Sequence, residues 1–239
     1  VATFVVAHGA WSAGWAWKKM HPLMAAAGHR LVTPTYTGLG ERSHLAHAGI
    51  DLDTHITDVV NVLKFEDLRG VILIGHSYGG MVATGIADRA RAEVAELVYL
   101  DAHAPRDGQS AFDLMTPERA NAMRARAVGE GEGWRLPSNP MPPDTSAADQ
   151  AWAAPRRMPQ PVKTFEQRLV LQNGALTLPR HYVYCTRIGP GDPFRPSYER
   201  AKREGWGAYE LDASHNPHIT APEALMGLLN GIASRAAAA

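Results

Sequence analysis

Six short apolar runs punctuate the chain, rich in β-branched or aromatic residues and bounded by Gly, Pro or Asp. They are Thr3–Ala7, Arg30–Pro34, Val71–Gly75, Leu97–Asp101, Tyr182–Thr186 and Ala208–Leu211. Runs without polar alternation predict strands buried on both faces, as in a parallel sheet. Between most of them the spacing turns helical. Trp15–Ala27 follows the first strand and closes at Gly28. Asp53–Leu63 sets Ile56, Val59, Val60 and Leu63 on one face. Ser77–Ala90 begins at the Gly75–Gly80 turn, and Pro222–Ala233 ends the chain, with the terminal alanine run expected to fray. Alternating strand and helix predict an α/β fold: a mainly parallel sheet of about six strands, covered by helices on both faces. Right-handed crossovers put the carboxyl ends of all strands along one edge, where the sites of such sheets form.

One stretch breaks the rhythm. From about Pro105 to Pro179 there is no clear strand, and prolines crowd at positions 137, 140, 142, 143, 155, 159 and 161. The segment is too long for an ordinary loop. Phe112, Met115, Trp134, Trp152 and Phe165 argue against disorder. The expected organisation is a core domain made of residues 1–105 and 181–239, with residues 106–180 inserted as a cap of short helices over the strand ends.

Composition narrows the partners. At 239 residues and 45% hydrophobic content, the chain suits one domain with a real core. Its 24 basic and 24 acidic side chains balance, so there is no electrostatic reason to bind nucleic acid or an anionic membrane. Cys185 is the single cysteine, read as a small apolar residue in a strand. No apolar run is long enough to cross a bilayer, and Val1–Ala7 reads as a strand rather than a leader. The expected setting is cytoplasmic. A homodimer is left open.

The chemistry gathers at three turns. Val71–Gly75, then His76-Ser77-Tyr78-Gly79-Gly80, is a hydrophobic strand followed by G-x-S-x-G and a helix. A serine thrust out on such a turn adopts strained dihedrals, and side chains at Gly75 and Gly79 would collide with it. The helix that follows points its amino end at the reacting centre. Ser77 is the expected nucleophile. The first strand ends in His8-Gly9-Ala10-Trp11. An oxyanion needs two preorganised N–H donors: Tyr78 is one, and Ala10 the expected second, with Trp11 as fallback. Gly9, Trp11 and His76 are expected to touch substrate, whereas Trp15 and Trp17 read as packing. Leu211-Asp-Ala-Ser-His215 follows the last strand, where an imidazole can accept the serine proton and later protonate a leaving group. His215 and His218 lie three apart, but no Glu or Asp completes a metal-ligand spacing and H-E-x-x-H is absent, so neither metal nor organic cofactor is expected.

With these residues placed, the chain resembles the bacterial and plant small-esterase branch of the α/β-hydrolase superfamily. That branch includes plant methyl esterases, salicylate-binding esterases and hydroxynitrile lyases. The resemblance covers almost the whole length. It rests on His8-Gly9-Ala10-Trp11 with Trp15 and Trp17, Gly75-His76-Ser77-Tyr78-Gly79-Gly80-Met81, Tyr99-Leu-Asp101-Ala-x-Ala-Pro105, Tyr184-Cys185-Thr186, and His215 before Pro222. It implies the α/β-hydrolase fold with a helical cap inserted after the sixth-type strand of the family. Lyases of the branch carry threonine at the position of Gly9 and lysine at that of Asn216, so their absence here favours ester hydrolysis. Dehalogenases of the same fold use a carboxylate nucleophile, which Ser77 is not.

The third triad member departs from the pattern. The family places an acid three residues after the cysteine of a Cys-Thr-x-Asp segment, and this chain has Ile188 there. Asp101, at a strand end as in the dehalogenases, and Asp192, in Gly189-Pro-Gly-Asp192-Pro, are the two substitutes. Asp101 is preferred because a strand end fixes geometry better than a Gly-Pro-Gly loop. The alternatives for these carboxylates are a tie for the start of the cap (Asp101) and a turn or helix-cap residue (Asp192). The expected reaction is hydrolysis of a small apolar or aromatic ester through a serine acyl-enzyme. The competing readings are a lyase or other cofactor-free reaction on the same scaffold, and a hydrolase-like protein that only binds a small ligand.

Overall fold

The computed structural model describes residues 1–237; the end of the alanine run, Ala238 and Ala239, lies outside the described residues. The elements, in chain order, are β1 (Thr3–Ala7), α1 (Met20–Ala26), β2 (Arg30–Val32), α2 (Leu52–Phe65), β3 (Val71–His76), α3 (Gly79–Arg89), β4 (Val94–Leu100), α4 (Pro117–Glu130), β5 (Arg135–Leu136), α5 (Ala147–Ala153), β6 (Gln160–Pro161), α6 (Lys163–Glu166), β7 (Arg180–Cys185), α7 (Arg195–Arg203), β8 (Gly207–Leu211), α8 (Pro217–Thr220) and α9 (Pro222–Ala236).

Six strands form one parallel sheet in the order β2-β1-β3-β4-β7-β8. They are the six apolar runs of the sequence. Both faces are covered, which is why the runs do not alternate. Val5, Leu73 and Leu97 pack toward Ile56 of α2 and Val82 of α3. Their neighbours Phe4, Ile72, Ile74 and Val98 face Trp17, Met20 of α1, and Leu225 and Leu229 of α9. Truncating such a side chain to alanine costs about 2–5 kcal/mol.

Several boundaries differ from the periodicity, two of them for a reason visible in the chain. The helix expected over Trp15–Ala27 is split into a 3-10 turn at Gly14–Trp17 and α1 at Met20–Ala26. Pro22 has no N–H to donate, so it is tolerated only in a first turn, and the α-helix starts just before it. The strand expected to end at Asp101 stops at Leu100, because Asp101 takes a positive φ of 42°. The segment after β4 is a helical insertion as expected. It also contains a small antiparallel pair, β5 with β6, and one long helix, α4. No helix among the described residues is long and apolar enough to cross a membrane.

Candidate active site

The turn between β3 and α3 carries Ser77 at φ 56°, a left-handed conformation that is costly for a residue with a side chain. The flanking glycines make it sterically feasible. A Cβ on Gly79 would lie 2.0 Å from the Ala7 carbonyl oxygen, and one on Gly75 would lie 2.7 Å from the Ala83 Cβ. The turn is tied down through main chain: Ser77 N–H donates to the Leu100 carbonyl at 3.3 Å, and the Ser77 carbonyl accepts from Gly80 and His103 N–H.

Strand register brings three distant segments together here. Gly75 and His76 pair with Tyr99 and Leu100, so Ser77 and Asp101 leave adjacent strands at the same level. Cys185 pairs with Leu211, which delivers the loop bearing His215 to the same edge. His215 Nε2 lies 2.9 Å from Ser77 Oγ, and His215 Nδ1–H donates to Asp101 Oδ2 at 2.6 Å. The imidazole stacks on Phe194 at 4.9 Å between ring centres. Asp101 is fully buried; its N–H donates to Val183, and its Oδ1 accepts from Cys185 N–H. Burial pushes its carboxyl up from the ordinary value, opposed by the bonds from His215 and Cys185.

Asp192 is engaged elsewhere. Its Oδ2 accepts from Tyr184 hydroxyl at 2.5 Å, and its Oδ1 accepts from Phe194 N–H at 2.8 Å and Arg195 N–H at 3.3 Å. It ties down the start of α7, and no hydrogen bond joins it to His215.

The turn after β1 supplies the facing wall. Among the described residues, the N–H groups of Ala10 and Tyr78 find no acceptor within the protein, although both residues are buried. Two unsatisfied buried donors flanking a serine hydroxyl suit a transient negative charge. Trp11 N–H is already spent, donating to Gln160 Oε1 at 3.2 Å. Trp11 itself is held at φ 59° by the insertion. Its indole Nε1–H donates to the Leu136 carbonyl at 2.9 Å, and its own carbonyl accepts from Met158 N–H. The Tyr78 ring stacks on Phe165 at 5.2 Å, and its hydroxyl donates to His55 Nδ1 at 3.0 Å. His55 Nε2–H donates to the Thr37 carbonyl, which settles the tautomer.

A cavity of about 360 Å³ opens in front of Ser77, with Gly9, Trp11, His76 and Tyr78 in its wall. His76 is almost fully buried, and its Nε2–H is committed to the His215 carbonyl. Trp15 packs against the core as read for it, with Trp152 from α5 edge-on at 5.2 Å, and it also lines the cavity. Trp17 is core, stacked on His218 at 4.5 Å. Sequence patterning missed Gln160, Phe165, Arg157, Arg119 and His103, all of which line this cavity or brace its wall. Arg119 lies in α4 and His103 within the segment Tyr99–Pro105, but neither position by itself marks a cavity residue, and only the fold brings the five here.

Comparisons with known proteins bear on the fold and the family. The family model described as "Alpha/beta hydrolase family" matches residues 4–228. A carbendazim hydrolyzing esterase of Nocardioides sp. (strain SG-4G) is 35% identical over 237 residues, covering 94% of this chain and 97% of that protein. Methylesterase 3 of Arabidopsis thaliana is 25% identical, covering 97% and 95%. Among solved structures, an extracellular alpha/beta-hydrolase from a Paenibacillus species superposes with a TM-score of 0.83 at 27% identity, covering 96% of this chain and 98% of that one. It is described as sharing structural and functional homology with tobacco salicylic acid binding protein 2. That relative also corrects the cytoplasmic expectation, since so similar a protein is described as extracellular and nothing in the residues distinguishes the two settings. The match from residue 4 to residue 228, over a six-stranded parallel sheet interrupted by a helical insertion, establishes that the chain belongs to the alpha/beta hydrolase family.

Proposed function

We propose that the chain hydrolyses carboxylic esters of modest size through a serine acyl-enzyme, with Ser77 as nucleophile, His215 as general base and Asp101 as the acid that orients it. The observation that carries this reading is the unbroken path from Asp101 Oδ2 through His215 to Ser77 Oγ, with spacings of 2.6 and 2.9 Å. Ser77 Oγ attacks the ester carbonyl while its proton passes to His215 Nε2. Negative charge develops on the carbonyl oxygen and is held by the Ala10 and Tyr78 N–H groups. The proton then goes to the departing alcohol. Water, activated by the same imidazole, attacks the acyl-enzyme and releases the acid. His215 Nε2 takes the proton of Ser77 and gives it to the leaving alcohol, then takes one from water and returns it to Ser77 Oγ as the acid departs, while the buried Asp101 stays ionised to stabilise the imidazolium.

The relatives support the same chemistry, being named an esterase and a methylesterase. The cavity wall supports an apolar or aromatic substrate: Met115, Met123, Met141, Phe165, Ile188 and Phe194 all face it. Balanced charge supports a small molecule over nucleic acid as the partner. The reading as a binding protein is weakened by the two buried N–H donors left without acceptors, which serve a transition state better than a resting ligand. The test is labelling by a serine-directed fluorophosphonate together with turnover of p-nitrophenyl acetate. Stoichiometric labelling at Ser77 and rapid release of nitrophenol are expected, and both vanish in Ser77→Ala. A folded protein that neither labels nor releases nitrophenol would be a binder, not an esterase.

A further inference from the structure

The cavity wall is mostly apolar, yet three guanidinium groups open onto it: Arg119, Arg157 and Arg187. Arg187 is neutralised by a bidentate pair with Asp212 at 2.7 and 2.9 Å. Arg119 and Arg157 have no carboxylate within ion-pair distance among the described residues. The one acid in the same wall, Asp192, spends its oxygens on Tyr184, Phe194 and Arg195. Two guanidinium groups thus share the wall with one carboxylate, and neither is paired with it.

Arg157 is the more confined of the two. It is half-buried, and its Cζ lies 5.7 Å from the centre of the Trp11 ring. Its Nη1 donates to the Asn139 carbonyl, while Nε and Nη2 have no partner among the described residues. Burial pulls its pKa down from the ordinary value, although a guanidinium stays charged at any working pH. A half-buried cation without an ion-pair partner gives up part of its hydration, and that cost is offset when a ligand brings the anion. The Trp11 indole that this cation flanks reaches toward the insertion, donating to the Leu136 carbonyl, so the cation sits on the insertion side of the cavity.

We infer that Arg157 is a recognition residue for a carboxylate-class anion carried by the ester substrate away from the bond that is cleaved. The substrate is then a half-ester or an ester of an acidic aromatic compound: apolar in body, as the methionine and phenylalanine wall requires, and anionic at one end. Arg119, exposed and bonded only to the Gly191 carbonyl at 3.4 Å, adds attraction at the rim. This assignment rests on the esterase reading for its catalytic consequences but not for binding, so both are measured.

The catalytic measurement uses two matched pairs of esters. The p-nitrophenyl half-ester of glutaric acid is compared with p-nitrophenyl pentanoate, and 4-acetoxybenzoate with phenyl acetate. In at least one pair the wild-type kcat/KM favours the anion, by roughly tenfold or more for a charge-assisted hydrogen bond. Arg157→Gln removes that preference, read as the ratio of anion to neutral ester kcat/KM within each variant, and Arg157→Lys keeps part of it. Equal kcat/KM for anion and neutral ester in both pairs overturns the inference, as does an unchanged preference in Arg157→Gln. The binding measurement titrates Ser77→Ala with benzoate and with benzyl alcohol. Benzoate binds more tightly, and Arg157→Gln on that background removes the difference. No difference in Ser77→Ala overturns the inference even if every ester is turned over. A difference without any turnover sustains the anion subsite and sinks only the esterase reading.

Discussion

The Nε2–H of His76 donates to the main-chain carbonyl of His215 at 2.7 Å. The variable residue of the G-x-S-x-G turn thus holds the loop that carries His215. His76 is buried, lies edge-on to His218 at 4.7 Å, and has its Nδ1 only 3.0 Å from where a Cβ on Gly9 would stand. One ring therefore braces the Ser77 turn, the His215 loop and the turn after β1.

His76→Ala frees the His215 carbonyl and loosens the geometry of Nε2 against Ser77. A misplacement of about 1 Å can cost roughly 100-fold in rate. The expected outcome is a fall in kcat of about 10- to 100-fold with KM little changed, and a matching fall in the rate of fluorophosphonate labelling. His76→Gln, which can still donate, recovers part of it. An equal loss in His76→Gln and His76→Ala, tracking only a lower Tm, would mark the residue as packing.

Asp101→Asn and Asp192→Asn separate the two acids. Asn at 101 cannot hold His215 in the required tautomer, so kcat falls by roughly 10⁴-fold. Asn at 192 leaves kcat within about threefold. Asp192→Ala lowers stability by about 1–2 kcal/mol, because the Tyr184 hydroxyl and the first N–H groups of α7 lose their acceptor. The check is kcat and thermal unfolding on all three proteins. Abolished turnover in a folded Asp192→Asn would reverse the assignment.

Gln160 couples the insertion to the turn that bears Ala10. Its Oε1 accepts from Trp11 N–H, and its Nε2 donates to Thr164 Oγ1 at 2.9 Å. Without that acceptor, Trp11 can relax from its left-handed conformation and redirect the neighbouring Ala10 N–H. Gln160→Ala should reduce kcat by about 10- to 100-fold. It should weaken binding of a trifluoromethyl ketone by the same factor, since that ligand imitates the charged intermediate. Binding of the product acid should not follow. Parallel losses for ketone and product would point to general damage of the cavity.

Acid should begin to destabilise the protein before its carboxylates neutralise. Burial lowers His8 to about 4 and His55, His103 and His218 to about 3. Unfolded, each takes up a proton near its ordinary value of about 6.5. Between these limits the unfolded chain binds more protons, so stability drops as pH falls below about 6.5 and levels off only below the folded values. Each histidine contributes about 1.4 kcal/mol per pH unit, and the four together roughly 5 kcal/mol per unit. Against a total stability of about 5–15 kcal/mol, cooperative unfolding is expected before pH 4. Above pH 7 these groups contribute no slope. A Tm constant from pH 7 to 4.5 would show that they do not enter the folded state as buried neutral rings.

What the amino-acid order settles by itself is whatever depends on neighbours along the chain. The six strands are legible because a strand buried on both faces must be apolar throughout, as in Val71–Ile74. The strained turn at Ser77 is legible because Gly75 and Gly79 must lack side chains for it to close. Only the tertiary structure decides what depends on register and crossover. Asp101 and Asp192 are both locally reasonable acids. The β3–β4 pairing brings Asp101 to His215, while a tyrosine and the start of a helix occupy Asp192. Gln160 and Arg157 lie about 150 residues from Trp11, in a proline-rich insertion without periodicity, so nothing local marks them. Local sterics write themselves into short motifs; contacts between remote segments leave no such trace, because the folding of the whole chain creates them.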